Sequence, residues 1–477
     1  MAKFNRENVL RQLEFKRKWR SYSRYVYIAV PCVLCCLLCL YFAYSKFFVS
    51  EEQAVIRTTV GDFIYGDVVI DAYIDGEYSS TIPGKNDGYV VENVVCDNGA
   101  VGKWNSADWG LLTTNLSKRT KCNVYFKKLV TKVPDIIAQL DTSGKCPTVN
   151  DDGSVSVTGV EATNGYLCKA PDAYGDSYYY RGNVTNNYVK FADKYWRIVR
   201  INGDGTVRVI YDGTSAHANG ESSSDRQIGT SAFNSSYNDN AYVGYMYGQT
   251  GASTYAAAHA NTNNSTIKAY IDNWYKTNIV GTANEQYIAD NIFCNDRSLA
   301  QNNSGTGTGT SVTYYRWYNG PWSSGGYNSN MRLTCPQKNG AFTVSDTTNG
   351  NGALTYPVGL LSTDEIVLAG GWNASNSGYY LYSGQYWWAS SPNSFNGSNA
   401  RVRDVSSNGN AYTANLVSNG GGVRPVFNLK AEVLTYGDGT MNNPYRLTEN
   451  IDSTTPSGGG SSASRGIGEG QGEEGGS

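Results

Sequence analysis

The sequence predicts a chain that crosses a membrane once and carries two folded regions outside the cell, an all-β sandwich followed by an α+β domain. Three observations predict this fold class. Residues 1–24 are basic and precede an uncharged run, residues 67–128 alternate apolar with polar residues, and residues 177–449 combine hairpin signals with two helical patterns. The three signals do not overlap, so each belongs to a separate region of the chain.

The N-terminal region determines the predicted topology. Residues 1–24 hold eight basic and two acidic residues, a net charge of +6, and Tyr25–Ser45 contains no charged residue. About 20 apolar residues span a bilayer, and a basic flank stays in the cytoplasm. We therefore predict a cytoplasmic tail at 1–24 and a transmembrane signal anchor at 25–48, with the rest of the chain extracellular. A signal peptide cleaved near Ala43–Ser45 is the alternative.

Charge and composition narrow the classes of partner. The whole chain has a net charge of −2, which leaves −8 for the residues after the basic tail, and no Lys/Arg cluster stands out among them. Binding to nucleic acid needs such a cluster to hold phosphates, so we expect no nucleic-acid partner. The 38 tyrosines and 53 glycines are typical of β-rich domains with many loops.

The ten cysteines fall into two groups. Four lie inside the apolar run, where they act as small apolar residues. The other six form an even set outside the predicted membrane span, which favours disulfides. They are Cys96, Cys122, Cys146, Cys168, Cys294 and Cys335. Many pairings are open, and a sequential scheme that joins neighbours along the chain keeps each bridge within one region. None has the spacing of a zinc site, so we predict no metal and no cofactor.

Residues 51–130 contain three strand signals. The stretch DVVIDAYIDG ends in the hairpin dipeptide Asp75-Gly76, and YVVENVVC and KCNVYFKK supply two more strands. Trp104 and Trp109 offer a small core. The region resembles an immunoglobulin-like β-sandwich, a module that recurs as a stalk in bacterial surface proteins. Nothing in it suggests chemistry.

Residues 131–176 are predicted to form a connector with a short helical piece at Pro134–Leu140. The distal domain, 177–449, opens with KYWRIVRI and TVRVIYDG, which flank a turn and predict a hairpin. Residues 450–477 are rich in Gly, Ser and Glu and are predicted to be a disordered tail.

Two helices are expected in the distal domain. Ser265 can cap a segment whose apolar residues recur at helical spacing, from Ile267 to Tyr275, as expected of a helix packed against a sheet. Ser362 and Glu365 form a capping box ahead of a second helix. Together with the hairpins they predict an α+β domain.

The segment from Tyr386 to Leu429 has the composition of a binding surface. It opens with YWWASSPNSFNG, closes with GGGVRPVFNL, and is rich in Asn, Ser and Gly between them. Aromatic side chains give contact area at low entropic cost, and small polar groups give adaptable hydrogen bonds. An Asn-rich loop on an inert domain is the alternative. The predicted ligand-binding residues are Trp388, Asn393, Phe395, Asn396, Asn399, Arg401, Arg403, Asp404, Asn408, Asn410, Tyr412, Asn415 and Asn419. Arg403 and Tyr412 are expected to face solvent, and Trp387 to lie in the core.

Two motifs carry a resemblance to a known fold. WWASSP at Trp387–Pro392 and GVRP at Gly422–Pro425 resemble the bacterial form of the C-type-lectin-like fold, which is shared with the formylglycine-generating-enzyme family. The resemblance implies that Trp387, Trp388 and Arg424 frame the ligand-facing loops. Domains of this kind are also targets of diversity-generating retroelements, which mutate adenines and so affect Asn codons most.

A second resemblance concerns lineage. Residues 178–447 resemble surface proteins of Gram-positive gut bacteria through YVKFADKYWRIVRINGDGTVRVIYDG, SAFNSSYNDNAYVGYMYG and GDGTMNNPY. It implies a bacterial cell-surface protein and carries no activity with it.

The sequence offers little catalytic chemistry. Its two histidines, His217 and His259, lie in polar stretches, no GxSxG motif occurs, and no cysteine follows Cys335 to match the enzymes of the resembled family. We therefore predict a non-enzymatic, single-pass surface protein that binds an extracellular protein or glycan. The alternative is an extracellular hydrolase acting on cell wall or carbohydrate. Its candidate carboxylates are Asp193, Asp239, Asp272, Asp364, Glu365 and Asp404.

Overall fold

The computed structural model describes residues 11, 13–19, 68–85, 87–106, 109–115, 119–160, 162–301, 305–318 and 330–448. The chain separates into two compact units that divide after Lys127, and each has its own hydrophobic core. Residues 11 and 13–19 are helical.

The first unit contains six strands among its described residues. They are β1 (Val69–Ile74), β2 (Glu77–Ser79), β3 (Tyr89–Cys96), β4 (Val101–Asn105), β5 (Gly110–Thr114) and β6 (Lys121–Lys128). Four of them form a sheet in the order β2-β1-β6-β3, and β4 and β5 form a separate hairpin. Asp75 and Gly76 adopt φ angles of 51° and 91°, as the two-residue turn between β1 and β2 requires, which confirms the predicted hairpin.

The expected immunoglobulin-like sandwich is wrong for this unit. Such a sandwich packs two antiparallel sheets with about seven strands in total. Here β1 runs parallel to β6, with Val69 opposite Lys121 and Ile74 opposite Phe126. Alternation of apolar residues reports which face of a strand is buried but not the direction of its neighbour, so the sequence pattern could not reveal this topology.

The second unit is built from two larger sheets. The strands are β7 (Thr148–Val149), β8 (Val155–Ser156), β9 (Tyr166–Asp172), β10 (Gly175–Arg181), β11 (Tyr188–Phe191), β12 (Lys194–Ile201), β13 (Val207–Gly213), β14 (Thr230–Ala232), β15 (Met246–Tyr247), β16 (Asn263–Asn264), β17 (Phe293–Cys294), β18 (Thr313–Tyr314), β19 (Asn330–Met331), β20 (Ala341–Phe342), β21 (Trp387–Phe395), β22 (Ala400–Val405), β23 (Thr413–Leu416), β24 (Gly420–Gly422) and β25 (Val426–Leu429). One of the larger sheets has the order β25-β13-β12-β10-β9 with β11 on β12, and the other the order β14-β24-β21-β22-β23 with β18 on β21.

Helices are few and short in this unit. They are α1 (Val133–Ile137), α2 (Tyr255–Ala258), α3 (Thr266–Asn278) and α4 (Thr363–Leu368). Short 3₁₀ turns lie at Ser224–Arg226, Asn240–Val243, Glu285–Tyr287, Lys338–Gly340 and Ala431–Val433. The predicted caps are confirmed, since the Ser265 hydroxyl accepts the Lys268 N–H and Ser362 forms a full capping box with Glu365.

The predicted α+β, C-type-lectin-like class is nevertheless wrong, because the unit is mostly β-sheet. Only α3 is longer than two turns, with Ile267, Ile271 and Tyr275 buried, and one such helix does not make a layer. Residues 131–176, expected to be a connector, contribute α1 and β7 to β9, and β9 pairs with β10 along its whole length.

The transmembrane helix of the predicted fold class has no counterpart among the described residues. Among the described residues no helix is both long enough and apolar enough to cross a bilayer. The predicted anchor at 25–48 and the predicted tail at 450–477 lie outside the described residues.

The three predicted disulfides are confirmed with the sequential pairing. Cα–Cα distances are 4.0 Å for Cys96–Cys122, 5.5 Å for Cys146–Cys168 and 5.5 Å for Cys294–Cys335. The first lies in the core of the first unit, and the last closes a loop around β18 of the second.

Buried arginines tie the sheets of the second unit together. Asp212 of β13 is fully buried and accepts hydrogen bonds from Arg226 and Arg424, each at 2.8 Å. The Arg424 guanidinium lies 5.0 Å from the centre of the Trp387 ring. Trp387 is buried, which confirms the prediction that it lies in the core.

Candidate ligand-binding surface

The predicted ligand-binding residues lie on β21 to β23 and the turns between them, and burial divides them into two sets. The buried ones are Trp388, Asn393, Phe395, Arg403, Asp404 and Tyr412. The exposed or partly exposed ones are Asn396, Asn399, Arg401, Asn408, Asn410, Asn415 and Asn419. The expectation that Arg403 and Tyr412 face solvent is wrong, since their exposures are 0% and 6%.

Several of the exposed asparagines hold turns. At the tip of the β21–β22 hairpin, the Asn396 side-chain oxygen accepts the N–H groups of Ser398 at 3.1 Å and Asn399 at 2.8 Å. The Asn410 side-chain oxygen accepts the Tyr412 N–H at 2.7 Å. Asparagine favours turns because its side chain can bond to the backbone in this way. Part of the Asn density therefore follows from local chain geometry.

One row of residues crosses four strands on the outward face of the sheet. Tyr314 of β18 is opposite Ser394 of β21, Ser394 is opposite Arg401 of β22, and Arg401 is opposite Leu416 of β23. Residues paired in this way point to the same face. Phe395, the next residue along β21, is fully buried, so the opposite face packs on the core.

Tyr314, Arg401 and Leu416 of this row are partly exposed. The ring of Tyr314 stacks on that of Tyr318 with centroids 4.0 Å apart, and both side chains are partly exposed. Ser394, between Tyr314 and Arg401, is small and buried, and two strand spacings, about 10 Å, separate Tyr314 from Arg401. We name Tyr314, Tyr318, Ser394, Arg401 and Leu416 the open end of the face.

Arg401 has no partner among the described residues. Its side chain makes no hydrogen bond, ion pair or ring contact with any described residue, although it is only partly exposed. A guanidinium offers five N–H donors in a planar fork. The open end therefore presents a cation whose hydrogen-bonding capacity is left to solvent or a ligand.

The same face is closed two residues farther along β22. Arg403 donates to the backbone oxygens of Tyr412 and Trp317, and its guanidinium lies 5.4 Å and 5.9 Å from the centres of their rings. Trp372 packs edge-on against Tyr412 with centroids 5.1 Å apart. We name Arg403, Tyr412, Trp317 and Trp372 the covered end of the face.

Two large side chains are exposed beside the open end. Tyr237 is 43% exposed, and its backbone oxygen accepts the N–H of Ala400 at 2.8 Å. Val312, 47% exposed, precedes β18 and lies against Gly397 of the hairpin tip. Large exposed side chains grouped in this way are typical of interaction surfaces.

Elsewhere in the second unit, His217 lies between a carboxylate and a serine hydroxyl, as the histidine of a catalytic triad does. His217 Nδ1 lies 2.7 Å from Glu221, and Nε2 lies 3.5 Å from the Ser215 hydroxyl. Nε2 is closer to Asp225, at 3.0 Å. Although partial burial opposes it, hydrogen bonds from His217 and Thr214 lower the pKa of Asp225 to about 2. The imidazole is thus held between two carboxylates, which favours a structural role for His217 over activation of Ser215 as a nucleophile.

The carboxylates considered for a hydrolase are mostly committed to internal contacts. Arg316 bridges Asp296 and Asp364, and Asp364 also accepts the Trp317 indole N–H at 2.9 Å. Burial raises the pKa of Asp364, whereas the Arg316 charge lowers that of Asp296 despite its burial. Glu365 caps α4 and pairs with Arg200. These groups have little access to a substrate.

The second unit also has a cavity of about 270 Å³ that the sequence did not indicate. Its lining residues are Gln139, Asp141, Gly165, Tyr166, Leu167, Tyr180, Asn183, Val184, Thr185 and Asn186. Asn186 donates to Gln139 at 2.7 Å, and Asp141 accepts backbone N–H groups of Ser143 and Lys145. Much of its polar lining is therefore bonded within the protein.

Sequence reasoning missed Tyr314 and Tyr318. Both lie in TYYRWY at 313–318, far along the chain from the predicted segment, and the pairing of β18 with β21 brings them beside Arg401. The concentration of aromatic residues in that string was the one available signal.

Comparison with known families gives one match. A family described as a domain of unknown function (DUF6273) matches residues 254–431. This range includes β18 and β21 to β25, and so both ends of the face. No curated protein and no solved structure matches the chain.

Proposed function

We propose that this chain is an extracytoplasmic recognition or adhesion protein that binds a protein or glycan at the open end of the second unit. The observation that carries the proposal is Arg401. It lies on the same outward sheet face as a stacked tyrosine pair, two strands away, and has no partner among the described residues.

The residue types support binding. Interfaces draw most of their energy from a few tyrosine, tryptophan and arginine anchors. Tyr314, Arg401 and Leu416 stand on paired strands, so their positions are held before the ligand arrives. Such pre-organisation reduces the entropic cost of association.

The disulfides support a location outside the cytoplasm. Three bridges join the six cysteines among the described residues, and such bridges persist in oxidising compartments. A recognition function outside the cytoplasm is consistent with an exposed face that presents side chains rather than a closed catalytic cleft.

An array of glycans and extracellular proteins, probed with the full chain, tests the proposal. Arg401→Gln and Tyr314→Ala should each lower affinity for the captured ligand about 10-fold, the usual effect of removing an anchor of 1–2 kcal/mol. Tyr386→Ala is the matched control, because Tyr386 is 53% exposed but lies at the other end of β21.

Two results would count against the proposal. Capture that is equally strong for the Arg401 and Tyr314 variants would move the binding site elsewhere. Shortening of a captured polysaccharide by the wild-type chain would support the hydrolase alternative instead.

A further inference from the structure

The charge of the open end is concentrated in one residue. Tyr314, Tyr318, Ser394 and Leu416 are uncharged, and so are Tyr237, Val312, Asn396 and Asn399 around them. Arg401 is therefore the single charge among these described side chains.

Arg401 is also an exception among the arginines of this unit. Among the described residues of the second unit, each other arginine donates a hydrogen bond to a carboxylate, an amide or a backbone oxygen. Arg200 and Arg424 pair with carboxylates, and Arg181 and Arg297 donate to backbone carbonyls. The described part of this unit satisfies its other arginines and gives Arg401 no acceptor.

We infer that the open end binds an acidic polysaccharide, with the Arg401 guanidinium paired to a sugar carboxylate. The inference rests on the proposed binding function and names its ligand class. Guanidinium and carboxylate match in geometry and form two parallel charge-assisted hydrogen bonds. A partly buried arginine gains from this pairing because its surroundings already exclude some water.

The neighbouring groups fit a sugar chain. The outer face of the Tyr314–Tyr318 stack offers a flat apolar surface to the C–H face of a sugar ring. Asn399 lies two residues before Arg401. Its side-chain amide makes no hydrogen bond with a described residue and can bond to sugar hydroxyls.

The size of the row favours a polysaccharide over a folded protein. Four strands at a spacing of about 4.8 Å make a row about 14 Å long. A stable protein interface needs about 800 Å² from each partner, which is several times the area of such a row. A few units of a polymer can be held by a surface of this size.

Matched acidic and neutral polymers test the ligand class. The probes are polygalacturonate, hyaluronan and alginate, each compared with its methyl-esterified form, with binding to the full chain measured by calorimetry. At least one acidic polymer should bind about 10- to 100-fold more tightly than its ester, as expected for a charged hydrogen-bonding pair. Affinity should also fall as salt is raised.

Variants separate the site from general charge attraction. Arg401→Gln should remove the preference for acid over ester, and Arg401→Lys should keep only part of it, because an ammonium lacks the planar fork. Lys430→Gln removes the same charge at the end of β25 and should leave the preference unchanged.

The outcomes distinguish the inference from the proposed function. If no acidic polymer is preferred over its ester, the acidic-polysaccharide inference is wrong. If an uncharged glycan or a protein then binds through Arg401 and Tyr314, the proposed binding function still stands. If no ligand depends on those residues, both are overturned.

Discussion

The open and covered ends of the outward face differ although they lie on the same strand. Arg401 and Arg403 are two residues apart on β22 and point the same way. Arg403 is buried under Trp317 and Tyr412 and bonds to their backbone oxygens, whereas Arg401 has no partner in the described part of the chain. The same residue type on one strand can thus belong to the core or to a binding surface, depending on what other segments place over it.

The cover comes from two separate segments of the chain. Trp317 follows β18, and Tyr412 precedes β23. Their rings lie 5.6 Å apart, edge to face, over Arg403. Tyr314, three residues before Trp317, lies two strands from Arg401, which stays partly exposed. The chain therefore passes from the partly exposed Tyr314 to the buried Trp317 within three residues.

Removal of the covering tryptophan should give the largest effect. Trp317→Ala empties a buried aromatic site and takes the indole donor away from Asp364, so we expect a loss of about 3–5 kcal/mol in the free energy of unfolding. Urea denaturation of the second unit measures it. Tyr318→Ala, at the open end, is the control and should cost about 1 kcal/mol. Similar losses for the two variants would remove the distinction between the ends.

Exchange of the covered arginine should have the next largest effect. Arg403→Met keeps most of the volume but removes the Arg403 donor from the Tyr412 backbone oxygen and leaves the Trp317 backbone oxygen with the Asn393 amide as donor. We expect a loss of about 2–4 kcal/mol in the free energy of unfolding. Arg401→Met is the matched change and should stay within about 0.5 kcal/mol of wild type. If Arg403→Met leaves the free energy of unfolding unchanged, the packing of Trp317 and Tyr412 does not depend on the guanidinium.

Acid should destabilise the interior behind the open end. His259 is fully buried, with its ring 6.3 Å from that of Tyr315, and burial, aided by Arg297, lowers its pKa to about 3. The unfolded chain takes up a proton near pH 6.5 and the folded chain does not, so stability should fall as pH drops from about 6.5 toward 3.

The slope of this loss can reach about 1.4 kcal/mol per pH unit. Denaturation at pH 6.5 and pH 5.0 measures it before ordinary carboxylates titrate. A His259→Gln variant should lose less stability than wild type over that interval. Equal slopes would mean that His259 does not control the acid response.

The hairpin tip should show the smallest effect. Asn396→Ala removes the acceptor for the Ser398 and Asn399 N–H groups and should cost about 0.5–1.5 kcal/mol in thermal or urea unfolding. Asn399→Ala should leave stability within about 0.5 kcal/mol but weaken ligand binding. Equal changes in stability and in ligand affinity for the two variants would contradict the division into asparagines that hold turns and asparagines that face a ligand.

Local features of the fold could be predicted from the sequence. The Asp75-Gly76 turn, the Ser265 and Ser362 caps and the burial of Trp387 are all found in the structure. The turn and the caps depend on residues a few positions apart, whose geometry is set by backbone sterics and nearby hydrogen bonds. The pairing of each cysteine with its neighbour along the chain also matched.

Only the tertiary structure decided the remaining features. The parallel pairing of β1 with β6, the burial of Arg403 and the placement of Tyr314 and Arg401 on either side of Ser394 each depend on segments far apart along the chain. Alternation of apolar residues and local composition describe one segment at a time and do not indicate which other strand it pairs with. The sequence by itself therefore determined local turns and helix caps, because these depend on residues a few positions apart, and the packing of distant segments decided that Arg401 is partly exposed and Arg403 is buried.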